Sequence, residues 1–419
     1  MNRIFLILCL VGLAACSTEE VSYQSSLETK AKFFLNQDNV SRAELVKEIR
    51  GTTTGRIDAA FQRLNDNDVA NAIVAAHKAG ATVRIVGDVD YEADSGFAIL
   101  VAAGVPVVFG DGELRYLPDP TISPILDNCG YSSRGELVVC PASGENVFRP
   151  LSNGEMVRPS DYNLMSHTFI RIGERVVWNF ASPLDGSTTV PLAFRIDGEA
   201  MSEAFEREFN QLYENVFSIS IDVYNGPVKS GVQYEPTYLT EFGEVYLRFS
   251  PQDRVTKTVI DEVYKARASV FIMTNSLSED FLLDALDYKK NNGFDVRIIV
   301  NQSAQDPDSL ARLTALGVKF APASVDYLPT IVVLDTEPNR RGDIEYQRAH
   351  VASHPLWKTA PFAIYFNEPN DEVEVYKSDY FVDGVMWSLT AYPNQVNAPL
   401  NGIKKLFNDT WNSSTTGAN

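Results

Sequence analysis

Two stretches of the chain share one rhythm of apolar and polar positions. Asp68–Val105 reads DVANAIVAAHKAGATVRIVGDVDYEADSGFAILVAAGV, and Phe281–Val318 reads FLLDALDYKKNNGFDVRIIVNQSAQDPDSLARLTALGV. In each, apolar residues at helical spacing lead to a glycine, an apolar and β-branched run follows, and a second helical pattern ends on Gly-Val. One constant offset aligns them without a gap. Ala72/Ala285, Gly80/Gly293, Val83/Val296, Arg84/Arg297, Ile85/Ile298, Leu100/Leu313, Ala102/Ala315, Gly104/Gly317 and Val105/Val318 are then identical. Gly80 and Gly293 fall where a helix must stop and a strand begin, so both read as left-handed residues closing a helix. Two copies this far apart indicate duplicated domains, not a solenoid.

The flanking patterns extend both copies. Ser41 and Glu44 have the spacing of a capping box opening a helix through about Arg50. Strand, helix, strand, helix and strand are then predicted over 57–109. In the second copy Val255, Val259 and Val263 mark one helical face, strand Val270–Thr274 follows, and Asp306-Pro307 opens a later helix. The alternation predicts an α/β fold with largely parallel sheets covered by helices. At about 150 residues per domain, 419 residues suit two or three. The expected division is a first domain at 41–224 with an insertion at 110–163, a Gly/Pro-bearing linker at 225–244, a second domain at 245–407, and a frayed tail at 408–419.

Composition narrows the function. Lys+Arg number 36 against 55 Asp+Glu, a net charge of −19. So acidic a body repels phosphate backbones, and nucleic-acid binding is not expected. With four histidines, no CxxC pair and no HExxH, no metal site or cofactor is predicted. Residues 1–15 begin with Arg3 and carry the apolar run Ile4–Leu13, too short to span a bilayer. Leu13-Ala14-Ala15-Cys16 resembles the bacterial lipobox, which implies a signal peptide at 1–15, acylation of Cys16 and a polar tether at 16–40. Ser17, rather than Asp, implies sorting to the outer membrane, with the lipid anchor as the membrane partner. Cys9 leaves with the signal. Cys129 and Cys140 remain as an even pair in an oxidising compartment and are expected to form a disulfide.

The repeat resembles the phospholipase D superfamily, whose members place such a helix–strand unit before each active-site strand. The resemblance covers Leu45–Phe217 and Val245–Thr390. It implies two α/β/α domains packed about a pseudo-two-fold axis, and a monomer, because the duplication already supplies both halves. In active members each half carries H-x-K-x4-D and then a G-S-x-N turn. One histidine attacks phosphorus, the other protonates the leaving oxygen, and the lysines neutralise the phosphate. Here Ser166 and Leu328 occupy the histidine positions, Thr168 and Thr330 the lysine positions, and Gly173 and Asp335 the aspartate positions. The turns read Phe180-Ala181-Ser182-Pro183 and Ala352-Ser353-His354-Pro355. His167 is one step out of register with the motif, which on a strand points it to the other face.

Three functions stay open on these residues. The first is a catalytically inactive outer-membrane lipoprotein that binds or scaffolds, with its ligand unknown. The second is a phosphodiesterase or phosphatidyltransferase with an altered active site, drawing on Ser166, His167 or His354. The third is a structural envelope lipoprotein whose cleft is filled.

Overall fold

A computed structural model describes residues 29–35, 38–110, 130–131, 137–139, 164–184, 192–214, 237–240, 242–250, 252–253, 255–305, 307–322, 325, 327–336, 347–356, 362–365, 372–375, 382–391 and 397–416. The signal peptide, Cys16, Cys129, Cys140 and most of the 110–163 insertion lie outside the described residues.

Two sheets carry the fold. The first runs, edge to edge, Lys30–Leu35, Leu192–Asp197, Val176–Phe180, Thr168–Ile172, Arg56–Phe61, Thr82–Gly87, Val107–Phe109. The second runs Thr237–Thr240, Gly243–Ser250, Val382–Ala391, Gln347–Ala352, Thr330–Leu334, Ser269–Thr274, Asp295–Val300, Lys319–Phe320, Thr415–Thr416. Both are mixed rather than largely parallel. The consecutive strands joined through helices pair in parallel, and the later strands of each repeat add to them antiparallel.

The helices are α1 Asp38–Gly51, α2 Asn67–Ala79, α3 Ser95–Ala102, α4 Glu199–Tyr213, α5 Val255–Lys265, α6 Asp280–Asn291, α7 Pro307–Ala315 and α8 Ala398–Ser413. α2 shows how the sequence sets their limits. Asp66 accepts from the Asp68 and Val69 amides at one end, and Gly80 closes the other at φ 113°. Its apolar stripe, Val69, Ala72, Ile73 and Ala76, is buried. α1–α3 cover one face of the first sheet and α5–α7 one face of the second, each over its own apolar core. α4 and α8 lie between the sheets, where one core draws Phe169, Phe194, Phe205 and Phe209 from the first half and Phe249, Leu328, Trp387 and Phe407 from the second.

The repeats superpose in detail. The Asn65 and Asp66 amides donate to Leu184 O at 2.9 and 3.3 Å, and the Ser278 and Glu279 amides donate to Leu356 O at 3.0 and 3.4 Å. Gly173 and Asp335 make the same turn at φ 63° and 59°.

Three expected boundaries move. Within the tether at 16–40, Lys30–Leu35 is an edge strand paired with Leu192–Asp197, and α1 starts at Asp38, so Ser41 lies inside the helix rather than capping it. Within the linker at 225–244, Thr237–Thr240 pairs with Gly243–Ser250. The tail at 408–419 is ordered through most of its length. α8 continues to Ser413, because Trp411 extends the stripe of Leu400, Ile403 and Phe407, and Thr415–Thr416 pairs with Lys319–Phe320.

Candidate active site at the pseudo-two-fold axis

The motif segments of the two halves meet where their strands end. Leu164–Met165 of the first half pairs in parallel with Val382–Asp383 of the second sheet. That pairing sets Ser166 against Gly384 and Ser353. The Ser166 and Ser353 hydroxyls stand 3.4 Å apart, and Ser353 Oγ accepts the Val385 amide at 3.0 Å. A Cβ on Gly384 would lie 2.5 Å from His354 Nδ1 and 2.9 Å from Ser166 Oγ, so glycine is required for the halves to close. An isolated glycine inside the Val382–Ala391 pattern was the available sequence signal for this contact.

Second-half residues complete the cluster. Thr330 Oγ1 donates to His354 O at 2.6 Å, Thr274 and Thr330 hydroxyls are 2.8 Å apart, and the Tyr327 hydroxyl donates to Ser353 O at 3.1 Å. Burial pushes the Tyr327 phenol pKa upward. Leu328 is 2% exposed and belongs to the shared apolar core. Burial, with His167 nearby, pushes the His354 imidazole down to about 3, so it is neutral at any physiological pH. Neither ring nitrogen of His354 has a hydrogen-bond partner, and the same holds for Ser182 Oγ and Gln62 Oε1.

His167 lies near His354 and is held by α4. Its Nε2 sits 3.0 Å from Glu208 Oε1 of α4, its ring packs on Phe169 and Phe249, and Gln252 Nε2 donates to Glu208 Oε2 at 2.6 Å. Glu208 was legible only as an acid set among Phe205, Phe209 and Leu212 on the apolar face of α4. A further bond crosses the interface. Trp387 Nε1 donates to Asn179 Oδ1 at 2.6 Å, and Asn179 Nδ2 donates to Thr168 O at 3.1 Å.

Asp335 stands apart from this cluster. Its Oδ1 accepts the Arg267, Ala268 and Ser269 amides at 2.8, 2.7 and 3.3 Å, tying a turn at the far end of the strand. Among the described residues no group of three His, Cys, Asp or Glu could hold a metal ion.

Chemically, the cluster offers hydroxyls and one neutral imidazole. Thr168 and Thr330 are neutral and supply no cation to a phosphate, and Leu328 can neither attack nor donate a proton.

The fold is that of the phospholipase D superfamily: two α/β/α repeats with their motif segments abutting on a pseudo-two-fold axis. The phosphatidylserine synthase of Haemophilus influenzae Rd KW20 is similar over 93% of this chain and 87% of its own, with 12% identity and a TM-score of 0.55. The polyphosphate kinase of Porphyromonas gingivalis matches 87% of this chain at 9% identity and a TM-score of 0.43, and this chain spans 47% of its length. The phospholipase D family member Nuc of Salmonella typhimurium, at 16% identity and a TM-score of 0.28, matches 42% of this chain and 98% of its own. No protein-family model matches the sequence, and no curated relative does.

Proposed function

We propose that the chain is a non-catalytic phospholipase D-like lipoprotein of the outer membrane, held there through Cys16 and acting as a binding or scaffold module. The observation that carries this reading is the filling of the motif positions. Ser166, Thr168, Leu328 and Thr330 are 1–2% exposed, none is cationic, and Leu328 is packed into the core shared by the two halves. Burying a phosphate there without a cation would cost several kcal/mol. Losing one member of a catalytic set can reduce turnover about 10⁴-fold or more.

The test is hydrolysis of bis-aryl phosphates and phosphatidyl lipids by the purified chain, with no turnover above background expected. A second reading, a phosphodiesterase with an altered site, is favoured by the neutral, unpartnered His354 beside Ser166. Robust hydrolysis that disappears in Ser166→Ala or His354→Ala would establish it and overturn the first. Acylation is tested separately. The N-terminal fragment should carry acyl mass on Cys16, and Cys16→Ala should leave the membrane fraction. A bridge between Cys129 and Cys140 should appear as a cross-linked peptide under non-reducing conditions.

A further inference from the structure

The chain enters the described fold at one pole and is pinned there. Thr29 is 4% exposed, and a Cβ on Gly198, just before α4, would lie 2.6 Å from its Oγ1. Gly198 in turn donates its amide to Arg175 O at 3.0 Å. Strand Lys30–Leu35 begins at this point, where Lys30 pairs with Asp197 and Asp197 with Val176. Val176–Phe180 runs from there toward Ser182, at the end where Thr168 and the motif segment lie. The entry point and the Ser166–Ser353 contact thus stand at opposite ends of the strands, about 20 Å apart by strand length alone.

The motif pole gathers the long connections of both halves. The segment after Val107–Phe109 leaves at this end and returns as Leu164–Met165, directly before Ser166. The segment after Leu356 leaves at the same end and returns as Val382–Asp383, which pairs with Leu164–Met165. Within these connections Leu137–Val139 lies against Phe362–Tyr365, so the two halves meet there as well.

Chain length decides which pole can face a membrane that holds Cys16. Ser17–Glu28 reach about 40 Å at full extension, and a random chain of that length spans about 20 Å. From Thr29, that sets the Lys30 pole over the bilayer surface. To bring the motif pole there, the same segment would have to pass the whole strand length and the connections beyond it, close to its limit and against chain entropy. The net charge of −19 also opposes lying flat on an anionic surface.

We propose that the protein stands on its anchor with the Lys30 pole toward the bilayer and the motif pole away from it, so that the motif pole takes a partner carried in the aqueous compartment. Phospholipid of the anchoring membrane is out of its reach. The inference rests on the Cys16 anchor and deepens the binding-module reading by naming the side from which the partner comes.

The test is energy transfer from the full chain, purified from membranes, to an acceptor dye on the headgroups of vesicles into which it is reconstituted. Donor dyes are placed on single cysteines at exposed positions. Glu174→Cys and Asn292→Cys mark the Lys30 pole of the two sheets, and Glu92→Cys and Ser303→Cys mark the motif pole. The parent chain, treated alike, gives the dye taken up by Cys129 and Cys140, which is subtracted. Transfer should be severalfold stronger from positions 174 and 292 than from 92 and 303. Equal transfer from the two poles, or stronger transfer from the motif pole, would overturn the proposal while leaving the anchor in place. A chain with no acyl mass on Cys16 that is not retained by vesicles would overturn the anchor reading, and this orientation with it.

Discussion

Asp335 combines two roles that substitutions can separate. It is the non-glycine residue with positive φ among the described residues, at 59°, in the turn that the first repeat makes with Gly173 at 63°. Its Oδ1 accepts three backbone amides, and two of these belong to residues fully sealed from solvent, Ala268 at 1% and Ser269 at 0% exposure. Asp335→Gly removes the acceptor, at about 1–3 kcal/mol for each buried donor left unpaired. It also relieves a left-handed backbone worth about 1–2 kcal/mol. The balance is a loss of about 0–5 kcal/mol, centred on about 2–3 kcal/mol. Asp335→Ala loses the acceptor and keeps the strain, so it should cost about 2–6 kcal/mol. Asp335→Asn keeps an acceptor oxygen and a side chain tolerant of this φ, and should cost about 1 kcal/mol. In thermal unfolding at pH 7 a 3 kcal/mol loss in a domain this size is about 6–12 °C. The melting order should be wild type, Asn, Gly, Ala. Asp335→Gly melting at or above wild type would refute the tie. Asp335→Ala melting no lower than Asp335→Gly would refute the strain.

The other expectations concern the interface and pH. Gly384→Ala places a methyl within 2.5 Å of His354 Nδ1 and should lower the melting temperature by several degrees, whereas Gly104→Ala, in open space at φ 76°, should cost only the strain of its turn, about 1–2 kcal/mol. Asn179→Ala leaves the Trp387 indole N–H and Thr168 O unpaired, and should cost about 2–4 kcal/mol in urea unfolding. Burial holds His350 and His354 down to about 3 when folded, so the unfolded chain takes up protons that the folded chain refuses. Stability should therefore be full above about pH 6.5 and fall toward pH 3, by up to about 1.4 kcal/mol per pH unit for each histidine. The urea midpoint measured from pH 7.5 to 5 should show this slope, and joint His350→Gln and His354→Gln should flatten it. Joint Ser166→His, Thr168→Lys, Leu328→His and Thr330→Lys should lower stability without producing hydrolysis, and appearance of turnover would show that the cleft still admits substrate.

The duplicated units were legible because they rest on local signals. Helical stripes, Asp66 as a cap and Gly80 and Gly293 as stops each act within a few residues, and the second copy repeats them. The register that aligns Thr168 with Thr330 was legible too, since the two residues begin matching strands. What the sequence concealed are pairings between distant segments. Lys30–Leu35 looks like polar tether until Leu192–Asp197 stands beside it. Thr415–Thr416 looks like tail until Lys319–Phe320 does. The Ser166–Ser353 contact joins residues whose chemistry is unremarkable apart, and Glu208 stands out on the apolar face of α4 but has no visible partner until Gln252 and His167 converge on it. Edge strands take their definition from a partner, and no periodicity in six residues supplies one.

On the proposed non-catalytic reading, loss of the motif charges and closure of the cleft are one physical change. Two lysines facing each other across a dry interface repel, and each pays desolvation unless phosphate or water is present. A cleft that carries them must therefore stay open. On that reading, threonines at 168 and 330 leave no like charges to keep the halves apart. Thr330 satisfies its hydroxyl on His354 O and Thr274, Leu328 joins the shared core, and Gly384 lets the Val382–Ala391 strand approach Ser166 and His354 directly. The remaining polar groups are those with little charge to lose: serines, threonines and an imidazole held neutral by its burial. On that reading, the unpartnered His354 nitrogens, Ser182 Oγ and Gln62 Oε1 are the remainder of a polar lining. They are polar enough to hold ordered water and too weakly charged to hold a phosphate.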